Sequence, residues 1–252
     1  MQLHKLGKTK ARKDPRTLQL SNYVKVATIP DIPEEVSWIT HVNHWPMYGN
    51  DSVGDCVAAA AGHHIQQWTN YAGNEICVSP QDVIKTYEDV GGYVPGDPST
   101  DNGMNMLTYL KYWRKTGVGG HKIMAFVSVN PKDDLEVKAA IKLFGGVYTG
   151  FQLPNSAAGK DSWTVTDGGI YAPDGVPGSW GGHCVSIHAA SPHSLTCVTW
   201  GSTLKMSPNF FKDYCDECYA ILSKDWLDKT GLSPDHFNFG QLQVDLQEIS
   251  KL

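Results

Sequence analysis

Two residues far apart in the sequence constrain most strongly what this chain can fold into. Cys56 follows the turn-forming segment 50–55 and opens a run of small residues at 57–62. His183 lies 127 residues further on, after Gly181 and Gly182, at the start of an apolar segment. One class of thiol enzymes pairs a helix-opening cysteine with a distant histidine at a spacing of about 130–150 residues. The pair therefore predicts a fold in which a helix start and a strand start meet at a cleft.

Length and composition describe an ordinary folded protein. The chain has 252 residues, 41% of them hydrophobic and 19% charged, which suits one large domain or two lobes. No apolar run approaches the roughly 18–20 residues of a membrane span, and the N-terminus lacks the apolar region of a secretory signal. Six cysteines are too few for a disulfide scaffold of this size. We expect reduced thiols, no membrane association and an intracellular (cytoplasmic) location, with extracellular maturation left open.

The charge is unevenly distributed. The first sixteen residues carry a net charge of +5, which leaves −10 for the rest of the chain. Residues 1–31 are polar and contain Pro15 and Pro30, so we interpret them as a basic N-terminal arm. The arm is expected either to be solvated and flexible or to hold an acidic protein partner through residues 1–16. Without interleaved aromatic residues, the sequence does not favour nucleic acid as that partner.

Helical patterns dominate the first half. An apolar stripe predicts a helix from Asp55 or Cys56 to a stop at Gly73. A second helix is predicted from Ser79-Pro80, where a capping residue precedes proline. A third carries apolar residues at helical spacing from Met106 and ends at Gly117. Residues 91–103 are predicted to form a loop.

The second half changes character. A helix is predicted after Asn130-Pro131, closing at Gly145, and another is predicted after Ser233-Pro234. Strands are predicted at 146–153, 183–189, 195–200 and 218–222, and residues 154–182 are predicted to form a long loop. The fold class is therefore α+β, in a folded part at 32–252 with a helical lobe at about 32–130, a β-rich lobe at about 131–252 and a cleft between them.

The positions of Cys56 and His183 suggest how they could react. A free thiol has a pKa near 8.5, and a helix N-terminus with a neighbouring imidazolium can lower it to about 3.5–7.5. Gly54 would allow a substrate backbone to approach closely. The amide of Cys56 and the side chain of Asn50 could supply the two donors of an oxyanion hole.

Simpler interpretations exist for each of these residues. Cys56 could be a buried structural thiol and His183 a core histidine. Cys215-x-x-Cys218 could suggest zinc or redox chemistry, but the sequence offers no second pair of ligands at a suitable spacing. We expect a structural role for those two cysteines, and neither a metal nor a cofactor.

Five segments together resemble papain-like cysteine peptidases. The segment Ile32–Trp38 resembles the start of the mature enzymes, and Asn50–Cys56 resembles their nucleophile motif. Asp101–Gly103 before a helix fits the order of their elements. Gly182–Val185 resembles their histidine strand, and Val198–Gly201 resembles their Asn-Ser-Trp-Gly strand. The resemblance covers about residues 32–202.

This resemblance implies a two-lobed fold and a thiol hydrolase that cuts peptides or proteins. It implies Cys56 and His183 as the catalytic residues, Asn50 in the oxyanion hole, and Trp200 shielding the pair. One departure is important: Val198 stands where the family has the asparagine that orients the histidine. Thr199 is adjacent, but strand alternation is expected to turn it to the other face.

The departure at Val198 supports an alternative function. The chain could be a catalytically impaired papain-like scaffold that acts as a structural or interaction protein. Its style also resembles proteins encoded by bacteriophages or prophages, which suggests a capsid- or tail-associated virion component. A cell-wall amidase of the Cys–His type fits less well, because those domains place the histidine much nearer to the cysteine.

Overall fold

The computed structural model describes residues 4–23, 32–227 and Ser233. Within these residues the chain forms five α-helices, eight β-strands and several short 3-10 turns. The helices are α1 (Cys56–Tyr71), α2 (Pro80–Gly91), α3 (Met106–Lys115), α4 (Asp134–Phe144) and α5 (Pro208–Tyr214). The strands are β1 (Val36–Ser37), β2 (Ile123–Ser128), β3 (Val147–Leu153), β4 (Ser162–Trp163), β5 (Gly181–Ala190), β6 (Leu195–Thr199), β7 (Ser202–Met206) and β8 (Cys215–Ser223).

The first three helices form where the sequence predicts them. Helix α1 begins at Cys56, and Asp55 is its N-cap residue. Helix α2 begins after Ser79, whose side chain accepts a hydrogen bond from the backbone N–H of Asp82, and it ends at Gly92 in the left-handed conformation. Ser79 and Gly92 therefore cap the two ends of α2, where backbone groups have no partner inside the helix, whereas the Asp55 side chain makes no capping hydrogen bond.

Helix α1 is buried along almost its whole length, which explains its small residues. A side chain at Gly62 would place a Cβ atom 2.7 Å from the ring of Tyr48. On another side, the Tyr148 hydroxyl donates a hydrogen bond to the Val57 carbonyl in the first turn. Polar side chains of α1 such as His63 and Gln66 are buried too, and they bond to backbone carbonyls outside the helix. The small residues let the first turn of α1 lie close against the sheet.

The strands form one sheet in the order β2-β8-β3-β5-β6-β7-β4, with β1 paired to β5. The pairings are antiparallel except that between β4 and β7. In the middle of the sheet, Gly150 on β3 lies opposite Cys184 on β5 and Glu217 on β8. This row of three residues lies beneath the candidate site.

Several predicted elements differ in the structure. Helix α4 begins at Asp134 rather than at Asn130-Pro131, because the Asp133 side chain accepts the first free backbone N–H groups of the helix. The predicted loop at 154–182 contains strand β4. Strand β7 and helix α5 were not predicted, although Ser207-Pro208 carries the same capping pattern as Ser79-Pro80.

Two strands from the predicted helical part join the sheet. Strands β1 and β2 precede residue 130, yet they pair with β5 and β8. The division of the folded part at about residue 130 stays a prediction. The helix predicted after Ser233-Pro234 lies outside the described residues, apart from Ser233 itself. In the part of the chain that the structure describes, no helix is both long and apolar enough to cross a membrane.

Candidate active site

Cys56 lies at the contact between helix α1 and strand β5. It is the first residue of α1, and its side chain is buried. The backbone N–H of Cys184 points at the Cys56 sulfur, with the nitrogen 3.4 Å away. Cys184 directly follows His183 on β5, so the fold brings the strand start and the helix start together.

His183 is held by two side chains from the end of β6. Its Nε2 atom lies 2.7 Å from the Thr199 hydroxyl, and its ring stacks on Trp200 at a centroid distance of 4.3 Å. Its Nδ1 atom is buried and makes no hydrogen bond to any residue that the structure describes. When Nε2 donates its proton to Thr199, Nδ1 is left as the acceptor that a general base requires.

The residue that orients His183 is Thr199, which corrects the sequence-based expectation. Val198 packs in a small apolar cluster with Val42 and Trp45 instead. The two neighbours do point to opposite faces, as strand alternation requires, but the imidazole lies on the face of Thr199. Trp200 then leaves the strand with a φ of 46°, which ends β6 directly after the orienting residue.

Burial makes both partners neutral. It raises the pKa of the Cys56 thiol to about 12. Hydrogen bonds from the backbone of Cys184 and Gly7 and the charge of Lys8 lower this pKa, but by less. Burial also lowers the pKa of His183 to about 3. The helix N-terminus was expected to lower the thiol pKa, but removal of water is the larger effect here. In the described state Cys56 is therefore a neutral thiol and His183 a neutral imidazole.

The chain's own N-terminal arm covers the site. A backbone hydrogen bond links Gly7 to Cys56. The N–H of Lys8 donates to the Gly182 carbonyl at 3.0 Å on one wall of the cleft, and the N–H of Met104 donates to the Gly7 carbonyl at 2.7 Å on the other. The prediction of a solvated arm is therefore wrong for Gly7 and Lys8, because their backbone hydrogen bonds and the buried Lys8 side chain tie them to the cleft.

Lys8 is the most deeply buried part of this segment. Its side chain has no exposed surface, and its Nζ lies 2.8 Å from Asp216 Oδ2 and 3.1 Å from Glu217 Oε1. The stem passes over Gly150, where an added Cβ atom would lie only 2.1 Å from Lys8 Cε. The two carboxylates raise the pKa of Lys8 despite its burial, so its amine stays charged.

The start of the arm extends the aromatic stack over His183. His4 stacks on Trp200 with ring centroids 4.2 Å apart and an interplanar angle of 6°. The indole N–H of Trp200 donates to the Lys5 carbonyl at 3.1 Å. Trp200 therefore lies between His183 and His4, and it separates the imidazole from solvent.

Asn50 and Gly54 lie in the loop before Cys56. The Asn50 amide donates to the Val53 carbonyl at 3.1 Å and also lies beside the buried Asp55 carboxyl, so it stabilises the turn in this state. Its role in an oxyanion hole stays a prediction. At Gly54, an added Cβ atom would lie 2.9 Å from the Leu6 carbonyl oxygen. The arm backbone thus passes Gly54 as closely as a substrate backbone was expected to.

Sequence reasoning missed the residues that receive the arm. Asp216 and Glu217 bind Lys8, and Asp101 accepts a hydrogen bond from the Gly54 N–H and lies 4.0 Å from Lys5. The signal available was the contrast between a +5 arm and a −10 remainder of the chain. That contrast predicts an acidic partner surface, and the surface belongs to the same chain.

A metal centre finds no support in the described residues. Cys215 and Cys218 are buried free thiols on β8. Within 4–23, 32–227 and Ser233, no three histidine, cysteine or acidic side chains are placed to hold a metal ion together.

Comparison with solved structures identifies the fold. The chain is similar to xylellain, a cysteine protease from Xylella fastidiosa, with 16% identity over 87% of this chain and 96% of that one and a TM-score of 0.66. It is also similar to procathepsin B S9 from Trypanosoma congolense, with 10% identity, 86% of each chain covered and a TM-score of 0.61. A third similar structure is the proform of the ragweed pollen cysteine protease Amb a 11, with 17% identity, 80% and 69% coverage and a TM-score of 0.57. No protein-family model and no curated protein matches the sequence.

The fold is therefore that of the papain-like cysteine proteases, and the predicted α+β two-lobed class is confirmed. At these identities the similarity defines the scaffold and leaves the chemistry to the residues of the site.

Proposed function

We propose that this chain is a papain-like cysteine peptidase whose active site is covered by its own N-terminal arm. The observation that carries the proposal is the contact network around His183. The imidazole is oriented by Thr199 and stacked on Trp200, and its strand donates a backbone N–H to Cys56. A histidine held from one side with its other nitrogen free is what a thiol nucleophile requires.

Release of the arm would activate the pair. Water would then reach both side chains, so the burial that raises the pKa of Cys56 and lowers that of His183 would weaken. The proton could pass from the thiol to Nδ1, giving a thiolate and an imidazolium. The thiolate would keep its hydrogen bond from the Cys184 N–H and its place at the N-terminus of α1, and both stabilise a negative charge.

The reaction follows from this arrangement. The Cys56 sulfur attacks the peptide carbonyl carbon and forms a thioester as the amine leaves with a proton from His183. Water, deprotonated by His183, then releases the carboxylic acid and restores the thiol. The Cys56 amide and the Asn50 side chain would donate to the oxyanion, once the Asn50 amide turns from the Val53 carbonyl.

The bound arm is not presented for cleavage. Its Gly7 backbone makes a hydrogen bond to Cys56, and this contact lowers the thiol pKa by less than burial raises it. The thiolate is the nucleophile, so a neutral Cys56 does not attack the arm. The arm therefore blocks the cleft while Cys56 stays a neutral thiol.

Hydrolysis by a full-length chain with a loosened arm tests the proposal. The Lys8→Met variant removes the charge that holds the arm, and a quenched fluorescent peptide library reports cleavage. We expect cleavage that is lost in Lys8→Met/Cys56→Ala and kept in Lys8→Met/Cys77→Ala, since Cys77 is an exposed thiol outside the cleft. Cleavage that survives the loss of Cys56 would show that Cys56 does not carry out the hydrolysis.

A scaffold without catalysis is the second candidate, and the neutral state of Cys56 favours it. In that function the arm and cleft would form a permanent internal contact, as in a structural or virion-associated protein. A Lys8→Met chain whose Cys56 stays unreactive and which cleaves no peptide would support this candidate.

A further inference from the structure

The pocket that holds Lys8 has the construction of a selective binding site. Two acidic residues from β8, Asp216 and Glu217, converge on one amine. Each carboxylate is itself held: Gln152 donates to Asp216 at 2.8 Å, and the Tyr219 hydroxyl donates to Glu217 at 3.0 Å. The carboxylates are therefore fixed by neighbouring side chains and not only by Lys8.

The shape of the pocket selects a long, thin side chain. Its floor is Gly150, where an added Cβ atom would lie 2.7 Å from the Met106 sulfur and 2.8 Å from Glu217 Cγ. Glycine at this position leaves a channel that a methylene stem fills while its charged end reaches the carboxylates. Lysine and arginine have such stems with a cation at the tip.

The chemistry of the pocket rejects other side chains. An apolar occupant would leave Glu217, which is only 7% exposed, buried without a cation. An acidic occupant would place a third carboxylate beside two others. Selection of this kind acts through the cost of the wrong partner as well as the gain from the right one.

The position of the pocket relative to Cys56 defines which substrate residue it would receive. His183 protonates the leaving amine, so the C-terminal part of a substrate leaves on the side of His183 and Trp200. His4 occupies that side, the Gly7 backbone contacts Cys56, and Lys8 follows directly after Gly7 on the far side of the thiol from His4. The pocket therefore faces the N-terminal part of a substrate. The arm places His4, near its own N-terminal end, on the leaving side, so its chain direction in the cleft is opposite to that of a substrate.

We infer that the pocket formed by Gly150, Asp216 and Glu217 is a subsite for a lysine or arginine side chain one or two residues before the bond that is cut. This inference rests on the proposed peptidase function and names its substrate class. Lys8 occupies the subsite in the described state, so the arm and a basic substrate compete for the same two carboxylates.

Binding tests the subsite separately from catalysis. The protein is the full-length Lys8→Met/Cys56→Ala chain, and the probes are fluorescent acetyl-Ala-Lys-Gly-Ala and its norleucine analogue, which lacks only the charge. We expect the lysine peptide to bind at least about tenfold more tightly, in line with a charge-assisted contact. Adding Asp216→Asn and Glu217→Gln should bring the two affinities close together, and adding Asp134→Asn, an exposed carboxylate paired with Lys212, should not.

The outcomes separate the two proposals. Equal affinities for the two peptides would overturn the subsite, even if the chain with Cys56 cleaves peptides. A clear lysine preference would support the subsite, even if that chain cleaves nothing, in which case the peptidase proposal fails alone. Should the acidic double variant not fold, Gly150→Ala gives a second test, because its methyl group would fill the channel and is expected to abolish the lysine preference.

Discussion

At the scale of single residues, a hydroxyl positions the base of the candidate site. Thr199 fixes one nitrogen of His183, and Trp200 covers the ring. A hydroxyl can donate or accept, so it can keep its contact with the ring as the imidazole gains and loses a proton. Val198, one position earlier, serves the packing of Val42 and Trp45.

Removing this hydroxyl is expected to lower catalysis more than stability. In the Lys8→Met chain, Thr199→Val should reduce kcat at least about tenfold, because a misoriented imidazole transfers protons poorly. Thr199→Ser keeps the hydroxyl and should retain most of the rate. Peptide hydrolysis gives kcat and KM, and urea unfolding checks the fold. An unchanged kcat in Thr199→Val would remove Thr199 from the site.

The neighbouring position should behave in the opposite way. Val198→Asn introduces an amide into a fully buried apolar cluster, so it is expected to destabilise the protein by about 1–3 kcal/mol. It should not raise the activity of a Thr199→Val chain, because its side chain points away from His183. Recovery of activity in the double variant would contradict the observed register of β6.

At the scale of elements, the sequence predicts the helices and strands that position Cys56 and His183. Helix α1 begins after a turn-forming segment and α2 at a local capping pattern, and strands β3 and β5 follow from short apolar runs bounded by glycine. Strand β4 and the orientation of Thr199 depend on contacts distant in sequence, so local patterns do not determine them. The placement of the arm depends on a buried ion pair between Lys8 and residues about 208 positions later.

That ion pair should decide whether the arm stays in the cleft. Losing the cation from a buried pair leaves its carboxylates uncompensated, which commonly costs about 3–5 kcal/mol. Lys8→Met is therefore expected to release the first part of the arm. Hydrogen exchange should then accelerate at the backbone amides of residues 8 and 9, which donate to the carbonyls of Gly182 and Met104. Lys10→Met, at an exposed position on the same arm, is the matched control. Equal protection in both variants would mean that other contacts hold the arm.

At the scale of the whole molecule, buried histidines link stability to pH. Burial lowers the pKa of His63 to about 4 and those of His183 and His188 to about 3. An unfolded chain takes up these protons near the ordinary value of 6.5, so it binds more protons than the folded chain between about pH 6.5 and 3. Stability from these groups is complete above pH 6.5 and is lost as the pH falls. Asp55 acts in the opposite sense, because burial raises its pKa.

Acid should therefore destabilise the protein steeply. Each histidine can contribute up to about 1.4 kcal/mol per pH unit within this window. Urea unfolding at pH 7.5, 6 and 5 measures the slope, which His188→Gln should reduce and His193→Gln, at an exposed position, should leave unchanged. A free energy of unfolding that does not fall between pH 6.5 and 5 would contradict the neutral, buried state of these rings.

The pH profile of Cys56 alkylation tests the central claim most directly. Iodoacetamide is added to the wild-type and Lys8→Met chains between pH 5 and 10, and peptide mapping by mass spectrometry follows Cys56 and the exposed Cys77 separately. We predict that Cys77 reacts alike in both chains, that Cys56 is silent at neutral pH in the wild type, and that it reacts rapidly at neutral pH in Lys8→Met. A Cys56 that stays silent when hydrogen exchange shows the arm released, or that reacts equally in both chains, would contradict an active-site thiol covered by its own arm.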